Sequence, residues 1–251
     1  MVQKIRVGAV SYLNTKPLIF GFEHGSMKDE INLVIDYPSK IAALLIEDKI
    51  DIGLVPVAII PLLKEHYIVS DYGIACNGEV ASVCLFSDVP LYEIETVLLD
   101  YQSRTSVTLL KLLLQEYWKI SVKLIAGNLN YENEIGGTTA GLVIGDRALV
   151  KRQKSKFIYD LGSAWKEMTG FPFVFAAWVS NKKIPADFVI EFNKTNEIGL
   201  KSLDVIVKQH QLSQYDLHKY YTENIIYRLD KKMRDGMQIF LKKMLLLNSI
   251  K

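Results

Sequence analysis

Cysteine is nearly missing. Two residues in 251, Cys76 and Cys84, are too few for a disulfide framework and lack the spacing of a zinc site. Each is expected to be a small buried apolar side chain. Histidine is almost as scarce: His24, His66, His210 and His218 lie far apart in the chain, and none stands in a metal-binding or nucleophile-activating context. HExxH, a Walker loop, GxSxG and GxGxxG are all absent, and the Gly136, Gly137 pair precedes a strand-like run instead of following one. No metal site and no dinucleotide fingerprint is therefore expected. An excess of one charge is lacking too, since 30 Lys and Arg face 28 Asp and Glu. That balance gives no electrostatic reason to bind nucleic acid or a membrane surface, and the cluster Lys151, Arg152, Lys154, Lys156 reads as a solvated face. Long apolar runs are missing as well. The longest, "IGLVPVAIIPLL", falls short of the ~20 residues of a spanning helix and carries Pro56 and Pro61. The start, "MVQKIRVGAVSYL", has neither the apolar core nor the small-residue cleavage site of a secretory signal, so a cytoplasmic compartment is expected.

What is present is the composition of a globular protein, 49% hydrophobic and 23% charged, with enough length for a sizeable core. "KIRVGAV" has the β-branched enrichment of a strand, and Pro17 fits the first turn of a helix, where a missing N–H costs little. "INLVIDY" predicts a strand, "KIAALLIEDK" a helix and "IDIGLVPVAII" a strand again, which makes a parallel strand, helix, strand unit. "VASVCLF" is strand-like, and composition changes at Pro90. "TVLLD", the helix "SVTLLKLLLQEYW", "VKLIAG" and "GLVIGD" then form a second α/β unit. "FVFAAWVS" reads as a strand, and the rest, from Ala186, as a run of helices. An α/β protein of two lobes follows, one from 1–88 with 176–251 and the other from 89–175, with a ligand cleft between them.

Two strand ends carry the candidate chemistry. In "SYLNTKPL" the chain passes from a strand to a helix through Asn14, Thr15 and Lys16, suited either to an ordinary cap or to an anion. In "DYQSRTSV" Ser103, Arg104, Thr105 and Ser106 crowd one helix start, more hydroxyls and charge than a cap requires. Anion binding is the favoured reading there. Asp146, at the end of the "LVIGD" strand, faces either a ligand or the helix it caps. Trp165 and Trp178 are explained by core packing.

Taken together, "VGAVSYLNTKPL", "DIGLVP", "DYQSRTSVTLLKLLL", "IGDRAL", "DLGSAWKEMTGFPFVFAAWV" and "YYTENIIYRLDKKMRDGMQIFLKKM" resemble the chorismate dehydratase family of the futalosine route to menaquinone, in order along nearly the whole chain. The resemblance implies a periplasmic-binding-protein-like fold of the second type, and a lyase that removes water from chorismate without metal or redox cofactor. It also implies a catalytic role for Asn14, with Ser11, Thr15, Ser82, Ser103, Arg104, Thr105, Ser106 and Asp146 as substrate-binding residues. Two alternatives stay open: a non-catalytic solute-binding protein of the same fold, and the sister enzyme that forms 1,4-dihydroxy-6-naphthoate.

Overall fold

Residues 4–249 are described by the computed structural model, and their strands divide between two mixed sheets. The first sheet runs in the order β11 (Ile226–Arg228), β4 (Tyr67–Cys76), β10 (Phe173–Ser180), β3 (Ile52–Pro56), β1 (Ile5–Val10), β2 (Ile31–Asp36). β1 pairs in parallel with β2, Ile5 opposite Ile31, and with β3, Val7 opposite Ile52, as the βαβ pattern of the sequence predicts. β10, buried along its whole length, runs antiparallel to both β3 and β4. The second sheet has the order β7 (Lys123–Ala126), β6 (Thr96–Leu99), β8 (Thr139–Ile144), β5 (Val83–Ser87), β9 (Phe157–Asp160).

Helices cover these sheets where apolar residues recur on one face. α1 (Lys16–His24) buries Leu18, Ile19 and Phe22 and lies against α6 (Ala186–Leu200). The two backbones approach so closely that a Cβ at Gly199 would stand 1.8 Å from the Pro17 carbonyl, which leaves room only for glycine. α2 (Pro38–Ile46) packs on β1 and β3, α3 (Arg104–Leu112) follows β6, and α4 (Asp146–Lys151) follows β8. α5 (Leu161–Thr169) ends on Gly170 at φ 74°, the left-handed stop expected of a helix terminus. α7 (Leu203–Gln209), α8 (Leu217–Lys219) and α9 (Lys231–Ser249) complete the chain. Both tryptophans are core: Trp178 lies edge-on to Phe192, and Trp165 lies edge-on to Phe173 and to Phe240 of α9. Cys76 and Cys84 are buried and unpaired by disulfide.

Several expectations change. Sheet membership moves the lobe boundaries, because Val83–Ser87 pairs antiparallel with β8 and β9 inside the second sheet, and Phe173–Phe175 already belong to β10 of the first. The chain therefore crosses between lobes at 77–82 and 170–172, not at 88/89 and 175/176. Pro90, where composition shifts, is an exposed turn residue and not a crossing. The C-terminal run is not all helix, since "SQYDLHKYYTENI" forms only α8 and a π-helical turn, Tyr220–Asn224, before β11 closes the edge of the first sheet. β4 and β9 are strands that the sequence pattern does not announce. β4 is interrupted by Ser70 and the exposed Asp71, which break an apolar run, and β9 is only four residues long.

Candidate active site

Between the strand ends of the two lobes lies a small, partly open cavity of about 60 Å³. From the first lobe come Tyr12 and Asn14, just beyond β1, together with Pro56 and Phe175. From the second come Ser82 ahead of β5, Ser103, Thr105 and Ser106 at the start of α3, and Gly145 beyond β8. Apart from Phe175, inside β10, all lie at or next to strand ends or a helix start, where backbone groups and side chains are free to face a ligand. None of the lining side chains is charged. Its walls are apolar, from Val10, Ile74 and Ile144, and its polar groups are hydroxyls and one amide.

Each polar group is held by local geometry. Asn14 stands in the 3-10 turn Leu13–Thr15, its Oδ1 accepting from the Thr15 hydroxyl at 3.4 Å. Ser103 is the N-cap of α3: its Oγ accepts from the Ser106 N–H at 3.1 Å and donates to the Ser106 hydroxyl at 2.8 Å. The cap and the ligand-facing roles thus fall on one cluster, because one hydroxyl fastens the helix start and orients its neighbour. Ser82 follows a three-residue turn in which its N–H reaches the Val80 carbonyl at 2.7 Å and Ala81 takes φ 61°. A non-glycine residue in that region costs of order 1–3 kcal/mol and persists only where its surroundings enforce it. Here the Asp160 carboxylate does so, accepting from the N–H groups of Val80 at 3.1 Å and Ala81 at 2.8 Å. Burial pushes the Asp160 carboxyl up, against the pull of these donors.

Contacts across the cavity hold the lobes together. The Leu13 N–H donates to Asp146 Oδ1 at 3.1 Å, the Ala58 N–H to Thr105 Oγ1 at 3.1 Å, and the Tyr12 hydroxyl to Gln102 Oε1. Gly145, at φ 63°, lets the Tyr12 ring come close, since a Cβ there would stand 3.1 Å from it. The loop carrying Gln102 is itself anchored by buried Asp100, which accepts from the Gln102 N–H at 2.7 Å, from Tyr131 at 2.9 Å and from Arg147 at 2.6 Å.

Of the residues singled out by sequence, the structure gathers Asn14, Ser82, Ser103, Thr105 and Ser106 on one cavity. Ser11 is exposed and does not line it. Arg104 is exposed too, because the first turn of α3 turns it away from the side occupied by Ser103, Thr105 and Ser106. Thr15 is fully buried behind Asn14, and Asp146 accepts from the Leu13 N–H outside the cavity, with its carboxyl pushed up by burial. Tyr12 and Tyr220 were missed. Tyr220, fully buried, donates to the Ser82 hydroxyl at 2.7 Å from 138 residues away, a distance no local pattern spans.

A family model described as menaquinone biosynthesis matches residues 5–245 of the chain. The chain belongs to the menaquinone biosynthesis family. Relatives include proteins named chorismate dehydratase from Thermus thermophilus, 26% identical over 93% of this chain and 93% of that one, and from Campylobacter jejuni, 26% identical over 94% and 95%. Among solved structures, a protein of Archaeoglobus fulgidus superposes with a TM-score of 0.73 at 14% identity, covering 99% of this chain and 98% of its own. The periplasmic aliphatic sulphonate binding protein of Escherichia coli gives 0.61 at 12% identity, over 99% and 93%. The periplasmic-binding-protein-like fold is thereby this family member's fold. Among the described residues no helix is long and apolar enough to cross a membrane.

Proposed function

We propose that the protein removes water from chorismate, giving 3-[(1-carboxyvinyl)oxy]benzoate, as a carbon–oxygen lyase of menaquinone biosynthesis. The observation that carries this reading is a cavity between the lobes with no charged lining, in which an amide and several hydroxyls converge from both lobes. Its support from relatives is the two proteins named chorismate dehydratase.

The chemistry suits such a site. The hydrogen at ring C3 is acidified through the adjacent double bond by the ring carboxylate, the C4 hydroxyl leaves, and aromatisation drives the reaction. No lining side chain is a base, so the proton at C3 passes to the substrate's own enolpyruvyl carboxylate. Asn14 then donates to oxygen on which charge develops, and Ser82, Ser103, Thr105 and Ser106 hold the carboxylates. Neutral donors fixed before the substrate arrives stabilise the dianion without the reorganisation that water requires. The excluded solvent also makes each hydrogen bond count for more.

Purified protein incubated with chorismate should consume it and accumulate a product with aromatic absorbance. Chorismate that binds and is returned unchanged would reduce the protein to a solute-binding role. Conversion of a cyclic futalosine-type compound to a dihydroxynaphthoate in its place would make it the sister enzyme.

A further inference from the structure

We propose that Tyr220 is a positioning residue whose buried hydroxyl fixes the Ser82 side chain with its proton directed into the cavity. The inference rests on the chorismate-dehydrating reading of the site. Ser82 is 1% exposed and lines the cavity, and its Oγ accepts from the Tyr220 hydroxyl at 2.7 Å. Ser82 Oγ reaches the carbonyl of Val80 only at 3.4 Å, the outer limit for such a bond. With one lone pair taken by a strong donor and only a long bond to Val80, the serine proton is available to an oxygen in the cavity. A hydroxyl that accepts a hydrogen bond is also polarised into a better donor. Burial pushes the Tyr220 phenol well above its ordinary range, so at neutral pH it keeps the proton that it donates.

The seat of Tyr220 is built for the purpose. It opens the π-helical turn Tyr220–Asn224, a wide turn found often at functional sites. The turn is fastened to the segment ahead of Ser82 at a second point, where Asn224 Nδ2 donates to the Glu79 carbonyl at 3.3 Å. The Tyr215 hydroxyl donates to Asn224 Oδ1 at 3.0 Å, and the Tyr215 ring stands edge-on to Tyr220. The strained Ala81 turn places the Ser82 backbone, and Tyr220 places its hydroxyl.

The test is a double-mutant cycle on the whole protein. Tyr220→Phe, which removes one oxygen, should lower kcat about tenfold, the loss of one hydrogen bond made in the transition state, with KM changed less than about threefold. Ser82→Ala should fall at least as far, and the double variant no further than Ser82→Ala alone. Tyr221→Phe, a neighbouring buried phenol with no hydrogen-bond partner among the described residues, should leave kcat unchanged. Unaltered kcat in Tyr220→Phe, or losses that multiply in the double variant, would overturn the proposal. Should Tyr220→Phe fail to fold, Asn224→Ala releases the same turn, and its loss should likewise vanish in the Ser82→Ala background. Wild-type protein inert toward chorismate would instead defeat the functional reading. A crystal structure of Tyr220→Phe then decides the positioning claim by itself, since an unmoved Ser82 rotamer refutes it and a rotated one upholds it.

Discussion

Asn14 owes its place to a strand that ends one turn too early for a regular helix start. The 3-10 turn Leu13–Thr15 carries no side-chain cap, which leaves the amide free to line the cavity. Asn14→Ala should lower kcat about a hundredfold, the usual cost of one preorganised donor to developing charge, with the melting temperature nearly unchanged. Asn14→Asp puts a carboxylate into a cavity with no lining cation, so chorismate affinity, measured by calorimetry, should fall about tenfold or more at neutral pH. Arg104 makes the opposite point. A guanidinium among hydroxyls invites an anion-binding role in sequence, yet helical geometry sends it to solvent. Arg104→Ala should keep kcat/KM within about twofold, as expected for an exposed charge.

At the scale of elements, one helix start and one strand pair decide how well the site is held. Ser103→Ala removes the cap of α3 and should cost about 1 kcal/mol in urea unfolding, besides freeing the Ser106 hydroxyl. β1 is fastened to β3 near its start by Asp51, which accepts from the Arg6 backbone at 2.8 Å and from its guanidinium at 2.7 Å and 3.0 Å. Burial alone would push the Asp51 carboxyl up, but Arg6 and Lys182 outweigh it and hold it below the usual carboxylate range. A lowered folded value means that the unfolded chain binds the proton more tightly, so this stabilisation is full above pH about 4 and is lost as pH falls below that. The gap in melting temperature between wild type and Asp51→Asn should therefore shrink from pH 6 to pH 3.

On the scale of the molecule, the lobes are tied at the cavity rim and again at the far end of the chain. α9 lays Phe240 against Trp165 and Phe173, and its Lys243 pairs with Glu116 of the second lobe. At the rim, the Asp146 bond to the Leu13 N–H lies beside Asn14 itself. Asp146→Ala should raise KM about fivefold and increase the radius of gyration in small-angle scattering, since one hydrogen bond that favours the closed arrangement is gone. Asp146→Asn, whose Oδ1 can still accept that N–H, should restore most of the affinity.

Local pattern alone determined the α/β class, the parallel unit at the N-terminus, the core role of both tryptophans and the hydroxyl-rich start of α3. These are properties of neighbouring residues, set by periodicity and by the chemistry of strand ends. Interruptions hid β4, brevity hid β9 and β11, and the exposed Pro90 drew a boundary that sheet pairing does not respect. Tertiary structure alone decided which of the gathered hydroxyls reach one cavity, that no charge lines it, and that Tyr220 stands behind Ser82. Those facts depend on contacts between segments from dozens to more than a hundred residues apart, and only the folding of two lobes against one another brings them together.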